Sequence, residues 1–439
     1  MKNLLTFVLY ILIAFSLNAQ QLSKVYVLSE GGFSTGSSML SLYDNQSTNF
    51  IQSIFSPGNI GLYPDGLVYH EGYLYLTEQG SYGSSGKIYK LDTLGTVISS
   101  ATVGTNPYSL AITNDKIYLT NGSVGNVSVL NLNDFSFVKN ITVGVYPQEI
   151  IAHNNKVFVA NTSVWGGGSD STVSVIDPAV DSVIATITVK KDPSSFAISN
   201  DGYLLIGCPG DETEGKIFKI DVSTYQEVEN YSVSFYGFGK DIFVDKNSDN
   251  IFFISYLNDI VKFDLTNTNA SVVLSSVYPN NYYYGYAFDY VTKQHFVLDA
   301  KNFILNGTLS ILDSSYTVKG TYQASVAPRR LLFKYNTQPS SIDDNFIATS
   351  FLLNQNYPNP FNPTTKISWQ MPVSGQTSLK IYDVLGNEIT KLVDEFKSAG
   401  SYSVDFNASS LSSGVYIYIL SITNGNQEFI SSRKMTLIK

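Results

Sequence analysis

Short runs in which apolar and polar residues alternate recur through the first 335 residues of the chain. Seven of them share one pattern: "KVYVLSE" at 24, "YLYLTEQ" at 73, "KIYLTNG" at 116, "KVFVANT" at 156, "YLLIGCP" at 203, "IFFISYL" at 251 and "QHFVLDA" at 294. Alternation with a period of two is typical of half-buried β-strands. The runs recur about every 45 residues, a period that is typical of propeller blades built from four short strands.

Each repeat divides into four predicted strands, as the segment that begins at Tyr108 illustrates. Its first strand is "SLAIT" and its second is "IYLTN", and the tight turn "NDK" joins them. A loop leads to the third strand, "NVSVLNL", and a turn at Asp134 leads to the fourth, "FVKNITV". Four such strands in antiparallel order make one blade.

The two ends of the repeat region complete each other. The first repeat begins at its second strand, because nothing before Lys24 resembles the "P-x-x-L-A-I" that opens other repeats. A lone first-strand sequence, "APRRLLFKYN", follows the seventh repeat at residues 327–336. Its pairing with "KVYVL" would close the ring and remove two exposed sheet edges. The sequence therefore predicts an all-β fold, a seven-bladed β-propeller over residues 20–336 with a one-strand velcro closure.

The segments around the repeats predict export and a second domain. Lys2 precedes an apolar run from Leu4 to Leu17, so residues 1–19 read as a secretory signal peptide cleaved after Ala19. The run is short for a membrane anchor, which is the alternative. Residues 337–350 break the repeat and read as a linker. Residues 351–439 then carry about seven short strands, which indicates a small Ig-like β-sandwich.

Composition narrows the classes of partner. The net charge is −9 and the pI is about 4.9, so a nucleic-acid partner is not expected. Cys208 is the only cysteine, which excludes a disulfide within the chain. Stability must therefore come from core burial and strand pairing.

Candidate binding residues gather at one end of the predicted propeller, here called the top face. It carries the loops between second and third strands and the crossings between blades, and its loops are the long ones, such as "SEGGFSTGSS" from Ser29. Loops on a rigid scaffold often carry function. The candidates are Phe33, Tyr63, Glu78, Tyr82, Tyr108, Asn121, Tyr146, Asn161, Trp165, Tyr256, Tyr283, Asp299 and Arg329. Aromatic rings with convergent polar groups suit a neutral or amphipathic ligand. Packing of the crossing tyrosines between blades is the alternative.

No motif points to catalysis, a cofactor or a metal. The sequence holds no HExxH and no G-x-S-x-G, and its three histidines do not stand in the top loops. "DKNSDN" at Asp245 resembles a calcium loop, but it lies in a turn where Asp and Asn are ordinary residues. We therefore predict a non-enzymatic protein without cofactor, and an extracellular lyase or hydrolase that acts on a polysaccharide or an antibiotic is the alternative.

Two parts of the chain resemble known families. "KIYLTN", "KVFVAN" and "STVSVIDPAVDSVIATITV" are similar to the YVTN-type, or YncE-like, propellers over residues 22–336. "NYPNPFNPTTKISW", "LKIYDVLGNEI" and "KMTLIK" resemble the type A C-terminal sorting domain of the type IX secretion system. The residues that match the sorting motif are Asn356, Tyr357, Pro358, Asn359, Pro360, Phe361, Asn362, Pro363, Lys434 and Lys439. This resemblance implies export across the outer membrane by that machinery, typically with removal of the domain.

A narrower resemblance suggests a ligand. "VYVLSEGGFSTGSSMLSLYD" and the segment from Phe296 to Phe333 look similar to Bacteroidetes surface propellers, some of which capture cobalamin for a TonB-dependent transporter. By that resemblance a corrinoid would stack on Trp165 and Tyr256 and pair with Asn121, Asn161 and Asp299. We thus predict a secreted or surface-displayed binding protein for a corrinoid, a glycan or a surface partner. An adhesion scaffold is a further alternative.

Overall fold

The computed structural model describes residues 20–438 apart from 33–35, 58–63, 165–166, 211–214, 234–236, 278–279, 337–351, 357, 372–373, 398–399 and 425–426. Its described residues form two compact units, Gln20 to Asn336 and Leu352 to Ile438. The predicted signal peptide and linker lie outside the described residues and stay predictions. No helix in the described part of the chain is long and apolar enough to cross a membrane.

The first unit consists of seven four-stranded antiparallel sheets, which are the blades of a propeller. Blade one holds β1 (Gln21–Ser29), β2 (Met39–Asp44), β3 (Asn49–Phe55) and the late strand β28 (Pro328–Asn336). Blade two holds β4 (Pro64–His70), β5 (Tyr73–Glu78), β6 (Ser85–Leu91) and β7 (Val97–Thr105). Blade three holds β8 (Pro107–Thr113), β9 (Lys116–Asn121), β10 (Asn126–Asn131) and β11 (Phe137–Thr142). Blade four holds β12 (Tyr146–His153), β13 (Lys156–Thr162), β14 (Thr172–Asp177) and β15 (Ser182–Thr188). Blade five holds β16 (Ser195–Ile198), β17 (Leu204–Cys208), β18 (Lys216–Ile220) and β19 (Glu227–Ser232). Blade six holds β20 (Phe238–Val244), β21 (Asn250–Ser255), β22 (Ile260–Asp264) and β23 (Asn269–Leu274). Blade seven holds β24 (Tyr283–Asp289), β25 (Gln294–Asp299), β26 (Asn306–Leu312) and β27 (Val318–Val326).

The ring closes as the sequence predicts. Strand β28 pairs with β1 in antiparallel register, from Gln21 opposite Asn336 to Ser29 opposite Pro328. The last strand of the propeller thus completes the first blade, and no blade is left with a missing inner strand.

The propeller core lies between the blades rather than along an axis. Buried apolar side chains form seven clusters within the described residues, and each cluster joins two neighbouring blades. The seventh blade meets the first through Phe296 and Leu309 on one side and Val25 and Val27 on the other. The second strand of a blade buries both of its faces in such interfaces, which explains its nearly continuous apolar runs, whereas an outer strand such as β11 is mostly exposed.

The short turns at the bottom of the blades follow from their residue types. Asn114 and Asp115 both have positive φ, of 51° and 56°, and Asn154 and Asn155 have φ of 48° and 54°. Two-residue hairpin loops of this kind require left-handed residues, which Asn and Asp tolerate best after Gly. A 3-10 turn, Gly122–Val124, is the one helical segment of the described propeller.

The second unit is a two-sheet sandwich. One sheet has the order β29–β30–β33 and the other β32–β31–β34–β35. The strands are β29 (Leu352–Leu353), β30 (Thr364–Met371), β31 (Gly375–Tyr382), β32 (Glu388–Lys397), β33 (Gly400–Asn407), β34 (Gly414–Asn424) and β35 (Gln427–Leu437). Trp369, Phe361 and Tyr418 are almost fully buried in the core between the sheets. The predicted small β-sandwich is confirmed.

The proline-rich entry segment is part of this sandwich. Phe361 donates its backbone N–H to the Thr436 carbonyl at 2.9 Å and accepts from the Ile438 N–H at 3.0 Å, so it lies beside the last strand. Buried Asn356 donates its side-chain amide to the Pro358 carbonyl and to Thr365 Oγ1. Pro358, Asn359, Pro360, Asn362 and Lys434 stay on the surface or near it, and Tyr357 and Lys439 lie outside the described residues.

Candidate ligand site at the channel mouth

The inner strands bring distant residues together at the top end of the ring. Strands β4, β8, β12, β16, β20, β24 and β28 contact one another in sequence around the ring. Several begin with a β-bulge; in β4 the ladder skips from Pro64 to Leu67, and in β8 from Pro107 to Leu110. A bulge re-aims side chains out of the regular ladder. The residues within and next to these bulges therefore form a ring, which we call the channel mouth.

Glycines within and next to these bulges reflect close packing of neighbouring inner strands. A Cβ on Gly66 would lie 2.5 Å from Thr77 Oγ1, and one on Gly285 would overlap the Arg329 carbonyl. Other blades carry large ionisable residues at the corresponding position, such as Glu149 and Arg330. The mouth is therefore lined unevenly, with its ionisable groups in a few blades.

Arg330 joins blades one, two and four. Its Nε donates to Asp65 Oδ1 at 2.8 Å, and its Nη2 donates to Glu149 Oε1. The guanidinium carbon also lies 5.9 Å from the centre of the Tyr108 ring. Burial raises the pKa of the Glu149 carboxyl and that of the Tyr108 hydroxyl above their ordinary values. Arg330 is thus held by two carboxylates that are far apart in the sequence.

Arg329 makes the second ion pair of the mouth. Its Nη1 donates to both carboxylate oxygens of Asp241, at 3.0 and 2.9 Å, and to the Tyr284 carbonyl at 3.4 Å. Asp241 has a positive φ of 59°, and its N–H donates to Ser195 Oγ at 2.7 Å. The Asp241 carboxylate thus pairs with Arg329 from a strand position with left-handed backbone.

Two ionisable groups remain outside these ion pairs. The Tyr284 hydroxyl donates to Glu30, with 3.0 and 3.2 Å to the two carboxylate oxygens. Lys240 Nζ lies 4.1 Å from the centre of the Tyr284 ring. Neither Glu30 nor Lys240 forms a salt bridge or another side-chain hydrogen bond in the part of the chain that the structure describes.

The protonation states of this pair are close to balance at neutral pH. Burial, with a contribution from the nearby Asp65 carboxylate, raises the pKa of Glu30 to about 7. Burial, with a contribution from Arg329, lowers the pKa of Lys240 to about 7. The opposite charges nearby, the two arginines of the mouth for Glu30 and Asp241 for Lys240, offset only part of the effect of burial on these pKa values.

An aromatic wall stands beside this pair. Phe303 lies 4.9 Å from Tyr284 and 5.2 Å from Tyr282, measured between ring centres. Phe303 belongs to the top loop after β25 and remains 38% exposed. The mouth therefore offers polar groups and a partly exposed aromatic surface at the same place.

Only two of the residues proposed from the sequence lie at the mouth in the described structure, Tyr108 and Arg329. The polar residues proposed at the ends of second strands bond within or between blades instead. Glu78 accepts from the Tyr89 hydroxyl at 2.7 Å. Asp299 accepts from the Tyr282 N–H at 2.8 Å.

The two asparagines of this set are also structural. Asn121 Nδ2 donates to Asn126 Oδ1 and Ser128 Oγ, at 2.7 and 2.8 Å. Asn161 Nδ2 donates to Thr172 and Ser174, and its Oδ1 accepts from the Gly144 N–H at 3.0 Å. Both side chains are buried, and the NH₂ group of each donates within its own blade, although Asn121 Oδ1 has no partner among the described residues.

The remaining aromatic candidates are dispersed. Tyr82 is 75% exposed on the β5–β6 loop, and Tyr256 is 46% exposed in the turn after Ser255, the residue that takes the strand-end position. Tyr146 packs over Gly122, and half-buried Tyr283 opens β24 opposite Asp299. Phe33, Tyr63, Trp165 and Ala19 lie outside the described residues.

Sequence reasoning missed most of the ionisable residues of the mouth. The missed residues are Glu30, Asp65, Glu149, Lys240, Asp241 and Arg330. For all of them except Glu30, which follows β1, the signal was present in the segments that open the inner strands. Their sequences are "PDGL" at 64, "PYSL" at 107, "PQEI" at 147, "GKDI" at 239, "YYGY" at 283 and "PRRL" at 328. Alignment of the two middle residues of each would have placed them in one ring.

The histidines and potential metal ligands do not form a second site. His295 is buried, and its Nδ1 shares a hydrogen bond of 2.7 Å with the Tyr286 hydroxyl. No group of three or more His, Cys, Asp or Glu side chains that could hold a metal occurs among the described residues.

Two family models match the chain. Residues 24–320 match the Domain of unknown function (DUF5074), and residues 355–437 match the Secretion system C-terminal sorting domain. No curated protein matches. The resemblance to a propeller and to a type IX sorting domain is therefore confirmed in both parts.

Solved structures share the propeller fold. A quinoprotein alcohol dehydrogenase-like protein from Bacteroides thetaiotaomicron matches with a TM-score of 0.56 at 15% identity, over 72% of this chain and 79% of that one. A periplasmic gluconolactonase from Pseudomonas aeruginosa matches with a TM-score of 0.53 at 16% identity, over 72% of this chain and all of that one. Identities this low show a shared fold and nothing about activity.

The sorting domain defines the route and destination of the protein. Its match over residues 355–437 makes the type IX secretion machinery a partner and places the protein at the cell surface or outside the cell. The match over residues 24–320 covers most of the 439 residues. The chain therefore belongs to the DUF5074 family, with its family domain built as a seven-bladed propeller and followed by a type IX sorting domain.

Proposed function

We propose that the exported protein is a binding protein that captures a small polar ligand at the channel mouth. The supporting observation is the convergence of Glu30, Lys240 and Tyr284 from three blades, beside the partly exposed ring of Phe303. Ligand sites commonly combine an aromatic surface with a few polar groups that lack full pairing inside the protein. The arginine–carboxylate pairs beneath hold the inner strands in place.

A corrinoid is the first candidate ligand, and a neutral glycan is the second. The corrinoid follows from the resemblance of the first and last repeats to cobalamin-capturing propellers, which also makes a TonB-dependent transporter a candidate recipient. The contacts differ from those expected from the sequence, since Asn121 and Asn161 are already bonded within the propeller. Tyr284, Phe303, Lys240 and Glu30 supply the stacking surface and the polar contacts in this proposal.

An extracellular enzyme is the alternative, favoured by the carboxyl group of Glu30, which takes part in no ion pair of the mouth. Asp65 and Glu149 are both engaged by Arg330, and Asp241 by Arg329. Glu30 is then the acidic group of the mouth that is available for proton transfer. A binding role, unlike catalysis by two carboxyl groups, requires none of the ion pairs of Arg329 and Arg330 to break.

Calorimetry of the purified protein with cyanocobalamin and with neutral oligosaccharides tests the proposal. We expect one of them to bind with a Kd well below about 1 mM, which corresponds to a binding free energy of about −4 kcal/mol. Absence of heat with both at that concentration would overturn small-ligand capture and favour an adhesion scaffold. Cleavage of a bound oligosaccharide would favour the enzyme.

A further inference from the structure

We infer that Glu30 and Lys240 form a subsite for a carboxamide group, with the planar amide lying against Tyr284 and Phe303. This inference rests on the proposed capture at the channel mouth and names the chemistry that the mouth recognises. Neither Glu30 nor Lys240 takes part in the arginine–carboxylate ion pairs of the mouth.

The first step is the supply of partners within the mouth. Two arginines face three carboxylates there, and every one of these five groups is paired. Glu30 and Lys240 are left over, and they do not pair with each other, because no salt bridge within 4.0 Å joins them in the described structure. The Glu30 carboxyl accepts only from the Tyr284 hydroxyl, and Lys240 makes no side-chain hydrogen bond in the described structure. Buried polar groups are normally fully paired, so two incompletely paired groups beside one ring indicate a position for a ligand.

The second step is the sense of the two hydrogen bonds. The Lys240 amine donates whether or not it is protonated, and the Glu30 carboxyl retains an accepting oxygen in either state. A complementary ligand must therefore present one acceptor and one donor toward the same ring. A carboxamide carries its carbonyl oxygen and its NH₂ group side by side in one plane.

The third step is the charge of the mouth. Arg330 between Asp65 and Glu149 leaves one negative charge, the Arg329–Asp241 pair is neutral, and Lys240 and Glu30 offset each other when both are charged. A carboxylate ligand would meet this residual negative charge and would also lack a donor for Glu30. A neutral amide meets neither obstacle.

The fourth step is shape. Tyr284 and Phe303 are near perpendicular, with an interplanar angle of 80°, and Tyr282 completes the wall at 5.2 Å from Phe303. A flat group can stack on one ring and meet the edge of the other, which is the favoured arrangement for aromatic contacts. A sugar diol can supply a donor and an acceptor, but it lacks the flat face.

Nicotinamide and nicotinate are the matched probes, because they share a ring and differ only in carboxamide against carboxylate. We expect nicotinamide to bind the purified protein with a Kd of about 1 mM in ligand-observed NMR titrations, and nicotinate and glucose to bind at least about tenfold more weakly. Lys240→Met and Glu30→Met should each weaken nicotinamide at least about tenfold, because each removes one hydrogen-bonding group. The exposed Lys139→Met is the control and should change nothing.

Folding of each variant is checked by its melting curve, and Lys240→Arg, which keeps a donor, should retain more affinity than Lys240→Met. Equal binding of nicotinamide and nicotinate, no binding of nicotinamide, or unchanged affinity in both variants would overturn the subsite. Titration with cyanocobalamin distinguishes a failure of the carboxamide subsite from a failure of the corrinoid proposal. If it binds wild type and both variants equally, capture stands and the subsite falls; if it does not bind while nicotinamide behaves as expected, the subsite stands and the corrinoid falls.

Discussion

At the scale of single residues, buried polar side chains divide into those that complete the fold and those that are left for a ligand. Asn161 represents the first kind, since its amide makes three hydrogen bonds within the propeller. Lys240 represents the second, since its described neighbours are a tyrosine ring and other charges. Both kinds occur at strand ends on the top face, so position in the sequence does not separate them.

Replacement of Asn161 by alanine should lower stability without altering ligand affinity. The change leaves the Gly144 N–H and the hydroxyls of Thr172 and Ser174 without their partner. We expect a loss of about 1–3 kcal/mol in the free energy of unfolding, measured by chemical denaturation. The exposed Asn280→Ala is the control. A stable Asn161→Ala protein that loses ligand binding would return Asn161 to the binding site.

His295 should make the propeller sensitive to acid. Burial lowers its pKa from 6.5 to about 4, so the fold favours the neutral imidazole. The unfolded chain then binds more protons between pH 6.5 and pH 4, and stability falls as the pH falls through that window. The loss is at most about 3 kcal/mol.

A comparison of wild type with His295→Gln tests this sign. Denaturation at a series of pH values should give stability curves that converge as the pH falls from about 6.5 to about 4. Parallel curves over that window would show that His295 does not contribute to the acid response.

At the scale of elements, the clasp strand β28 has two roles. It fills the inner position of blade one along the whole length of β1, and it carries Arg329 and Arg330 into the mouth. The structure of the ring and the chemistry of its mouth therefore depend on the same nine residues.

Deletion of residues 328–336 should destabilise the propeller by more than the loss of its charges. The inner edge of β1 becomes exposed, and a ladder of hydrogen bonds worth about 0.5–1.5 kcal/mol each is removed. We expect the melting temperature to fall by roughly 10 °C or more. The double variant Arg329→Gln/Arg330→Gln is the control, and equal melting of the two proteins would mean that closure by β28 adds no stability.

At the scale of the whole molecule, a propeller with a candidate ligand site is followed in the chain by a sorting domain that directs its export. Removal of residues 355–437 should leave the protein in the periplasm, because the sorting domain is what the type IX machinery recognises. Immunoblots of medium, surface and periplasmic fractions measure this. Mass spectrometry of the surface form should find neither the signal peptide nor the sorting domain, and an intact chain there would contradict the expected processing.

The sequence predicts the blades well because each blade depends on local alternation and short turns. "KIYLTN" becomes β9, and "APRRLLFKYN" becomes the clasp opposite "KVYVL". The mouth could not be predicted in the same way, because its contacts join residues as far apart as Asp65 and Arg330 and depend on how bulged strands meet around the ring. Tyr256 was assigned to the end of the second strand of blade six, but that strand, β21, ends one residue earlier, at Ser255.

The crystal structure of the protein soaked with the ligand that calorimetry identifies tests the central claim most directly. The expected result is difference electron density over the channel mouth, within hydrogen-bonding distance of Lys240 or Glu30 and in contact with Phe303. A polar groove of about 490 Å³ at the bottom face, lined in part by Asp201, Glu229 and Asp249, is the competing location. Density there, with an empty mouth, would contradict capture at the top of the channel.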